Sequence, residues 1–316
     1  MRLLLIILFS ITWISVRSQT NADSKVYTRE LGLTVDNDYP YETDQYYTAG
    51  HDLYYRFGLH PKNRLFGSQD SAKSIFSFHY GNKIFNPKNL DTDDIRLMDR
   101  PYCGWNFVGA ELRNFKRKNS SNFFGLQVGL VGPASGMEQL QLGVHQAIHL
   151  YTAQGWDTQI SNEVVVNTHF NHMHGFQLAK QTEIVSSTGV SAGTGTNKIS
   201  QELTLRFLRF NPLHQSTFLN ANLSSEKPGG SKPEFFFFAS IGGDYVLSNI
   251  FIQGSLFNNN PSQFTTAINP WFFTEKFGAQ YANRQISVDL TLVHLSKETP
   301  LVSTHNYARI SVAYRF

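Results

Sequence analysis

The chain has 316 residues, of which 16% are charged and 14% are aromatic. This is less charge and more aromatic content than a soluble domain usually carries. Mean hydropathy is −0.28, which excludes a bundle of membrane-spanning helices. The 27 basic and 24 acidic residues lack the strong basic surplus of a nucleic-acid-binding surface, so we expect no nucleic-acid partner. A single cysteine, Cys103, excludes an internal disulfide.

The first residues predict a secretory signal. Arg2 precedes a short apolar run over residues 3–9, and small residues near Ser18 offer a cleavage site. A membrane anchor is the less favoured alternative, because a spanning helix needs about 20 apolar residues. We therefore expect residues 1–18 to be removed as a signal peptide and residues 19–316 to form a single domain.

The C-terminal residues alternate between apolar and polar side chains, which indicates a β-strand with two different faces. Ile310, Val312 and Tyr314 share one face, and Arg309 and Arg315 lie on the other. A strand between lipid and a polar lumen has this pattern. A strand that ends in Phe also resembles the C-terminal signal of outer-membrane barrels. A half-buried strand of a soluble sandwich is the alternative.

The same alternation recurs along the whole chain in about twelve segments. Charged residues lie between apolar ones, as a polar lumen permits and the dry core of a sandwich does not. An even number of strands is what closure of an antiparallel barrel requires. We therefore predict an all-β fold, a closed antiparallel transmembrane β-barrel of about twelve strands. The predicted strands span 29–38, 47–58, 73–85, 102–115, 121–132, 162–171, 178–191, 197–210, 233–248, 268–282, 285–296 and 306–316.

One long connection, between Pro133 and Ile160, carries a helical pattern instead. Met137, Leu140 and Val144 are spaced by three and four residues, which predicts a short amphipathic helix. A long loop that carries its own structure is commonly functional.

Polar clusters lie in the three loops that follow predicted strands 1, 3 and 5. The first loop carries Asp38, Glu42 and Asp44, the second an acidic run over residues 91–99, and the third His145. Both termini of such barrels usually lie in the periplasm, so these loops are expected at the outer rim. There they would form a candidate site. The alternative is that they are solvated loop acids and an exposed histidine.

Three segments together resemble motifs of the lipid A 3′-O-deacylases. The first comprises residues 36–38 and 43–50, and the second residues 99–105, with Cys103 where the family usually has Ala. The third extends over residues 132–160. The motifs occur in family order at family spacing, and the similarity covers essentially the whole chain after the signal. The family comprises twelve-stranded outer-membrane barrels that hydrolyse the ester-linked 3′-acyloxyacyl group of lipid A and depend on calcium.

The resemblance implies roles for particular residues. His145 matches the general base, and Asn37, Asp38 and Thr48 match the other catalytic residues. The implied cofactor is Ca²⁺, which prefers oxygen ligands, so we expect Asn37 and Asp38 to bind it, with help from Asp44 or Glu42.

The three motifs also imply residues that support substrate binding. In some positions the chain departs from the family. Tyr47, Asp99, Arg100 and Trp156 are implied to support substrate binding. A basic pair in the second outer loop of the best-known member has no clear counterpart here. A Glu that follows the family's His by six residues is replaced by Tyr151.

The residues and the resemblance together favour a calcium-dependent lipid A deacylase in the outer membrane. The expected partner is lipopolysaccharide of the outer leaflet, and we expect a monomer. The alternatives are a non-enzymatic porin or surface barrel and an outer-membrane phospholipase.

Overall fold

The computed structural model describes residues 27–59, 73–117, 119–223, 232–255 and 261–316. The signal peptide expected over residues 1–18 lies outside this part of the chain. Among the described residues, no helix is long and apolar enough to cross a membrane.

Twelve antiparallel strands form a closed barrel, as predicted. Each strand pairs with its neighbour in the chain, and β1 pairs with β12 to close the cylinder. The strands are β1 Arg29–Asn37, β2 Tyr46–Leu59, β3 Lys73–Asn86, β4 Cys103–Arg117, β5 Ser120–Val131, β6 Glu163–Ala179, β7 Thr182–Gly193, β8 Thr196–Arg209, β9 Glu234–Asn249, β10 Trp271–Ala282, β11 Ile286–Leu295 and β12 His305–Arg315. The clearest difference from the predicted bounds is β6, which continues to Ala179 instead of ending near residue 171.

Alternating side chains give the barrel an apolar outer face and a polar lumen. On β5, for example, Phe124, Leu126 and Val128 are exposed on the outside. Inward positions hold charged and polar groups such as Glu30 and Arg56, which are buried inside the cylinder. This is the distribution expected when lipid surrounds the strands and polar groups fill the interior.

A buried charge cluster joins the first and last strands. The Glu30 carboxylate accepts from Arg56 Nη1 of β2 at 3.0 Å and from Arg315 Nη1 of β12 at 2.7 Å. Glu30 and Arg315 are also directly opposite each other in the β1–β12 register. The cluster therefore crosses the seam at which the barrel closes.

The connection after β8 folds back into the lumen at the end of the barrel where β1 begins and β12 ends. Leu213, Leu219 and Leu223 are buried there. They pack in one cluster with Ile75 and Phe115, which belong to β3 and β4. Apolar side chains therefore occupy the lumen at this end.

A second insertion enters the lumen from the opposite end, which we call the loop end. It is a single helical turn, α2 (Ile250–Gln253), that follows β9. The Phe251 ring stacks on Phe85 at 5.5 Å and lies 5.0 Å from Trp105. The lumen is thus narrowed from both ends.

The predicted helix forms as α1 (Met137–Ala147), in the connection between β5 and β6. The connections after β1 and β3 lie at this same loop end. In an antiparallel barrel β1, β3 and β5 run in the same direction, so the connections that follow them lie at one end. We call these connections L1 (residues 38–45), L2 (87–102) and L3 (132–162). The fold therefore places the three polar clusters of the sequence at one mouth.

Replacing the seam carboxylate tests the closure of the barrel. Glu30→Gln leaves two buried guanidinium groups without their counter-charge, so unfolding should become easier by about 3 kcal/mol or more. The measurement is urea unfolding in detergent, followed by the gel shift between folded and unfolded barrel. Glu202→Gln, which breaks a more exposed lumen pair with Lys276, is the matched control. Equal midpoints for both variants would contradict the seam's importance.

Candidate active site

A β-bulge in β2 shifts the alternation of side chains by one residue at the loop end of the strand, so that Tyr47 and Gly50 both line the lumen. The β2–β3 register shifts between Tyr47 and Ala49, so Thr48 has no strand partner. The Tyr47 hydroxyl donates to Asp36 Oδ2 at 2.8 Å and its ring lines the lumen. The Thr48 hydroxyl instead reaches L1. The bulge therefore directs Thr48 into the candidate site.

L1 wraps around the Asp38 carboxylate. Oδ2 accepts from the Thr43 hydroxyl at 2.7 Å and from the Gln45 amide at 3.0 Å. Oδ1 accepts from the Thr48 hydroxyl at 2.9 Å. A left-handed backbone at Glu42, with φ of 57°, turns the chain back so that these donors meet Asp38.

Helix α1 packs closely on the barrel wall and directs one face into the site. Met137, Gln141 and His145 are its buried residues and are spaced by four positions. The close approach requires Gly104 on β4, where a Cβ would lie 2.5 Å from the Cβ of Met137. The helix face is thereby held against the ends of β3 and β4.

The Asp44 carboxylate is the point at which the loops meet, since five side chains contact it. Oδ1 accepts from Thr48 at 2.6 Å, Asn86 at 2.7 Å and Gln141 at 3.1 Å. Oδ2 accepts from the Tyr151 hydroxyl at 2.6 Å and lies 3.1 Å from His145 Nε2. The partners come from β2, β3 and L3. One carboxylate therefore fixes the relative position of three segments.

Trp156 holds Gln141 in the orientation that Asp44 needs. The indole Nε1 donates to Gln141 Oε1 at 2.9 Å, so the amide nitrogen of Gln141 must point to Asp44. Trp156 is buried, and its ring packs on Tyr102 at 4.9 Å. Trp156 thus supports the site indirectly, by fixing the orientation of the Gln141 amide.

The two ring nitrogens of His145 have different partners. Nδ1 lies 2.9 Å from the carbonyl oxygen of Tyr151, which only accepts, so Nδ1 carries a proton. Nε2 is therefore the nitrogen that can gain or lose one, and it faces Asp44. The side chain is 9% exposed, so only one edge of the ring meets solvent. This arrangement is suited to a general base.

Burial also changes the pKa of the Asp38 carboxyl in L1. Desolvation raises the pKa of Asp38 to about 7, although its hydrogen bonds lower it, and the neighbouring charge of Asp44 adds to the rise. The Thr48 hydroxyl lies within bonding distance of both carboxylates but has one proton to donate. A positive charge near Asp38 would therefore relieve the site.

Asp38 and Asp44 of L1 differ in their capacity to hold calcium. Both oxygens of Asp44 are engaged by side-chain donors, so Asp44 does not fit the ligand role expected for it. Asp38 Oδ1 contacts the Thr48 hydroxyl, which Asp44 also contacts, and Asn37 is adjacent. This oxygen corner fits a hard cation. Among the described residues, no three His, Cys, Asp or Glu side chains are arranged around a metal position.

Other residues named from the sequence lie beside the cluster rather than in it. The Asn37 amide oxygen accepts from the Tyr39 amide at 2.8 Å and shapes L1. Asp99 accepts from the Tyr46 hydroxyl at 2.8 Å and anchors L2. Tyr47, as described above, belongs to the lumen.

Arg100 is placed where it does not meet solvent. Its side chain is fully buried, its guanidinium pairs with Glu298 in the loop before β12, and it lies 4.4 Å above the Phe85 ring. The structure therefore assigns Arg100 to joining two loops at the mouth, away from the Asp44 cluster.

Sequence reasoning assigned no role to three residues that contact Asp44. Gln141 lies one helical turn before His145, a spacing that predicts a shared face. Asn86 ends a strand and Tyr151 lies in an irregular segment, so neither has a periodic signal.

The fold and the cluster define an outer-membrane barrel that carries a candidate active site at its mouth. The family model described as outer membrane protein LpxR matches residues 3–316. The chain belongs to this family, which confirms the resemblance of its three motifs.

Solved structures are similar to this chain over most of its length. LpxR from Salmonella typhimurium is 17% identical with a TM-score of 0.70, over 91% of this chain and 100% of that one. The translocator domain of the autotransporter NalP from Neisseria meningitidis is 9% identical with a TM-score of 0.43, over 98% of this chain and 93% of that one. Comparison with curated protein sequences finds no match.

Removing the Asp44 charge should loosen α1 without unfolding the barrel. In Asp44→Asn a single carbonyl oxygen faces donors that each stabilise a charged acceptor by about 1.5–3 kcal/mol. Amides of residues 137–147 should then exchange hydrogen at least roughly tenfold faster, as read by mass spectrometry. Glu42→Gln, an exposed acid of the same loop, serves as the control. Unchanged exchange in Asp44→Asn would argue against a joining role.

Proposed function

We propose that this protein is a lipid A deacylase that hydrolyses the ester-linked 3′-acyloxyacyl chain, with His145 as the general base. The observation that carries the proposal is His145 Nε2, 3.1 Å from Asp44 Oδ2, at the loop end of a barrel of the LpxR family. The proposal includes export by the signal peptide, a loop end that faces outward, and action as a monomer on lipopolysaccharide.

His145 would accept a proton from water at Nε2, because Nδ1 is already protonated. The water oxygen bonds to the ester carbonyl carbon, and the bond from that carbon to the sugar oxygen then breaks. The proton returns to the leaving sugar oxygen, so the products are a fatty acid and a free 3′-hydroxyl. A positioned general base typically contributes roughly 10²- to 10⁴-fold to such a rate.

Asp44 would offset the positive charge that the imidazole gains during the reaction. Its Oδ2 lies 3.1 Å from Nε2, so it can accept a hydrogen bond from the protonated ring. In the Ser-His-Asp triad the carboxylate binds the ring nitrogen opposite the base, whereas here the Tyr151 carbonyl has that position and Asp44 lies on the side of Nε2. Thr48 and Gln141 hold the carboxylate in place.

Asn37 and Asp38 are the residues that would hold calcium. When bound, the cation supplies Lewis-acid stabilisation of the negative charge on the ester carbonyl oxygen. Asp38 would bring one anionic oxygen, and its desolvated carboxylate favours a nearby cation.

A porin is disfavoured by the insertions that enter the lumen from both ends. Leu213 and Leu219 fill one end, and Phe251 packs across the other. A phospholipase would use the same His145 chemistry on another ester. Lipid analysis separates these alternatives.

Mass spectrometry of lipid A tests the proposal directly. Cells that produce the wild-type protein should lose the 3′-acyloxyacyl mass from lipid A. His145→Ala should reduce this release roughly 10²- to 10⁴-fold while the barrel still folds. His149→Asn is the matched control, since His149 is exposed, lies on the same loop, and has a left-handed φ of 58° that Asn accepts.

Full release by His145→Ala would exclude the base role. Intact lipid A together with newly formed lysophospholipid would indicate a phospholipase. Intact lipids and a steady single-channel conductance would indicate a porin.

Calcium dependence is tested by acyl release in EDTA-buffered calcium. Activity should disappear in EDTA and return with Ca²⁺. Asp38→Asn should raise the calcium concentration for half-activity roughly tenfold or more, because the ligand charge is lost. The control Asp93→Asn removes an exposed acid of L2 and should respond like wild type. Equal calcium requirements in the two variants would reject the Asn37–Asp38 corner.

A further inference from the structure

We propose that Tyr151 is a positioning residue for His145, acting through its hydroxyl on Asp44. The inference rests on the proposed function and adds a residue that replaces the Glu of the family. Tyr151 makes three contacts, two to His145 and one to Asp44.

Two hydrogen bonds hold the segment of Leu150 and Tyr151 against His145. The Leu150 amide donates to the His145 carbonyl at 2.8 Å, and His145 Nδ1 donates to the Tyr151 carbonyl at 2.9 Å. The left-handed φ of 58° at His149 reverses the chain after α1 and permits this return. The proton on Nδ1 is therefore fixed by the position of Tyr151.

The Tyr151 side chain covers the base. Its ring meets the His145 ring edge-on, with centroids 5.0 Å apart and an interplanar angle of 77°. This contact restricts rotation of the imidazole. The ring itself remains half-exposed at the mouth.

The hydroxyl completes the arrangement. It donates to Asp44 Oδ2 at 2.6 Å, the same oxygen that faces His145 Nε2, whereas Thr48 and Asn86 bind Oδ1. Tyr151 therefore fixes the carboxylate oxygen on which the base depends. Without this donor, Oδ2 keeps a partial contact with Gln141 at 3.3 Å and with His145.

Tyr151→Phe isolates the hydroxyl, since it keeps the ring and the backbone carbonyl. A hydrogen bond to a charged group corresponds to roughly a tenfold to hundredfold effect, so kcat for acyl release should fall by that factor. KM should stay within about twofold, because a positioning role changes the reaction and not substrate binding. Tyr39→Phe, which removes an exposed hydroxyl of L1, should match wild type.

A nitrogen-15 NMR spectrum of the histidine side chains gives a second readout that does not need turnover. The His145 Nε2 resonance, assigned with His145→Gln, should shift in Tyr151→Phe and stay unchanged in Tyr39→Phe. Wild-type kcat together with an unshifted resonance in Tyr151→Phe would overturn the inference. A wild-type protein that releases no acyl chain would instead reject the proposed function, and the resonance would still decide the role of Tyr151.

Discussion

A single carboxylate, that of Asp44, holds the candidate site together. It accepts from side chains of β2, β3 and L3, segments that are far apart in the sequence. A buried anion needs such donors, because an uncompensated charge is costly away from water. The same requirement explains why α1 packs tightly on Gly104 and why Trp156 orients Gln141. The barrel supplies a rigid frame, and the carboxylate selects one arrangement of its loops.

The lumen uses the same physics for another purpose. Charged side chains such as Glu30 and Arg315 are buried inside the barrel but satisfy one another across the closing strands. Apolar insertions such as Leu213 and Phe251 narrow the lumen from its two ends. The interior therefore stabilises the barrel, while the polar cluster that forms the candidate active site lies at the mouth.

The sequence predicts the fold well because one physical rule governs every strand. Lipid on one side and polar groups on the other give a period of two, which predicts the twelve strands. The helix stands out because its apolar residues are spaced by three and four instead. The rule weakens where a polar residue takes an outer position. In β6, His172 lies on the outer face and bonds Asn122 at 2.7 Å, so the strand continues past its predicted end.

The site is predicted less completely, because local irregularity decides it. Tyr47 and Thr48 are adjacent in the motif, but the bulge that turns Tyr47 to the lumen and Thr48 to the site cannot be read from periodicity. The sequence also gives no sign that Arg100 is buried against Glu298 or that Asn86 reaches Asp44. Such contacts depend on how loops meet across the mouth, which no short stretch of sequence encodes.

A double-mutant cycle tests most directly whether Asp44 joins the loops. Asp44→Asn, Gln141→Ala and their combination would be compared through the opening free energy of α1, measured by hydrogen exchange. Because the two side chains are in direct contact, the account predicts a coupling free energy of about 1 kcal/mol or more. Effects that add within about 0.5 kcal/mol would contradict it.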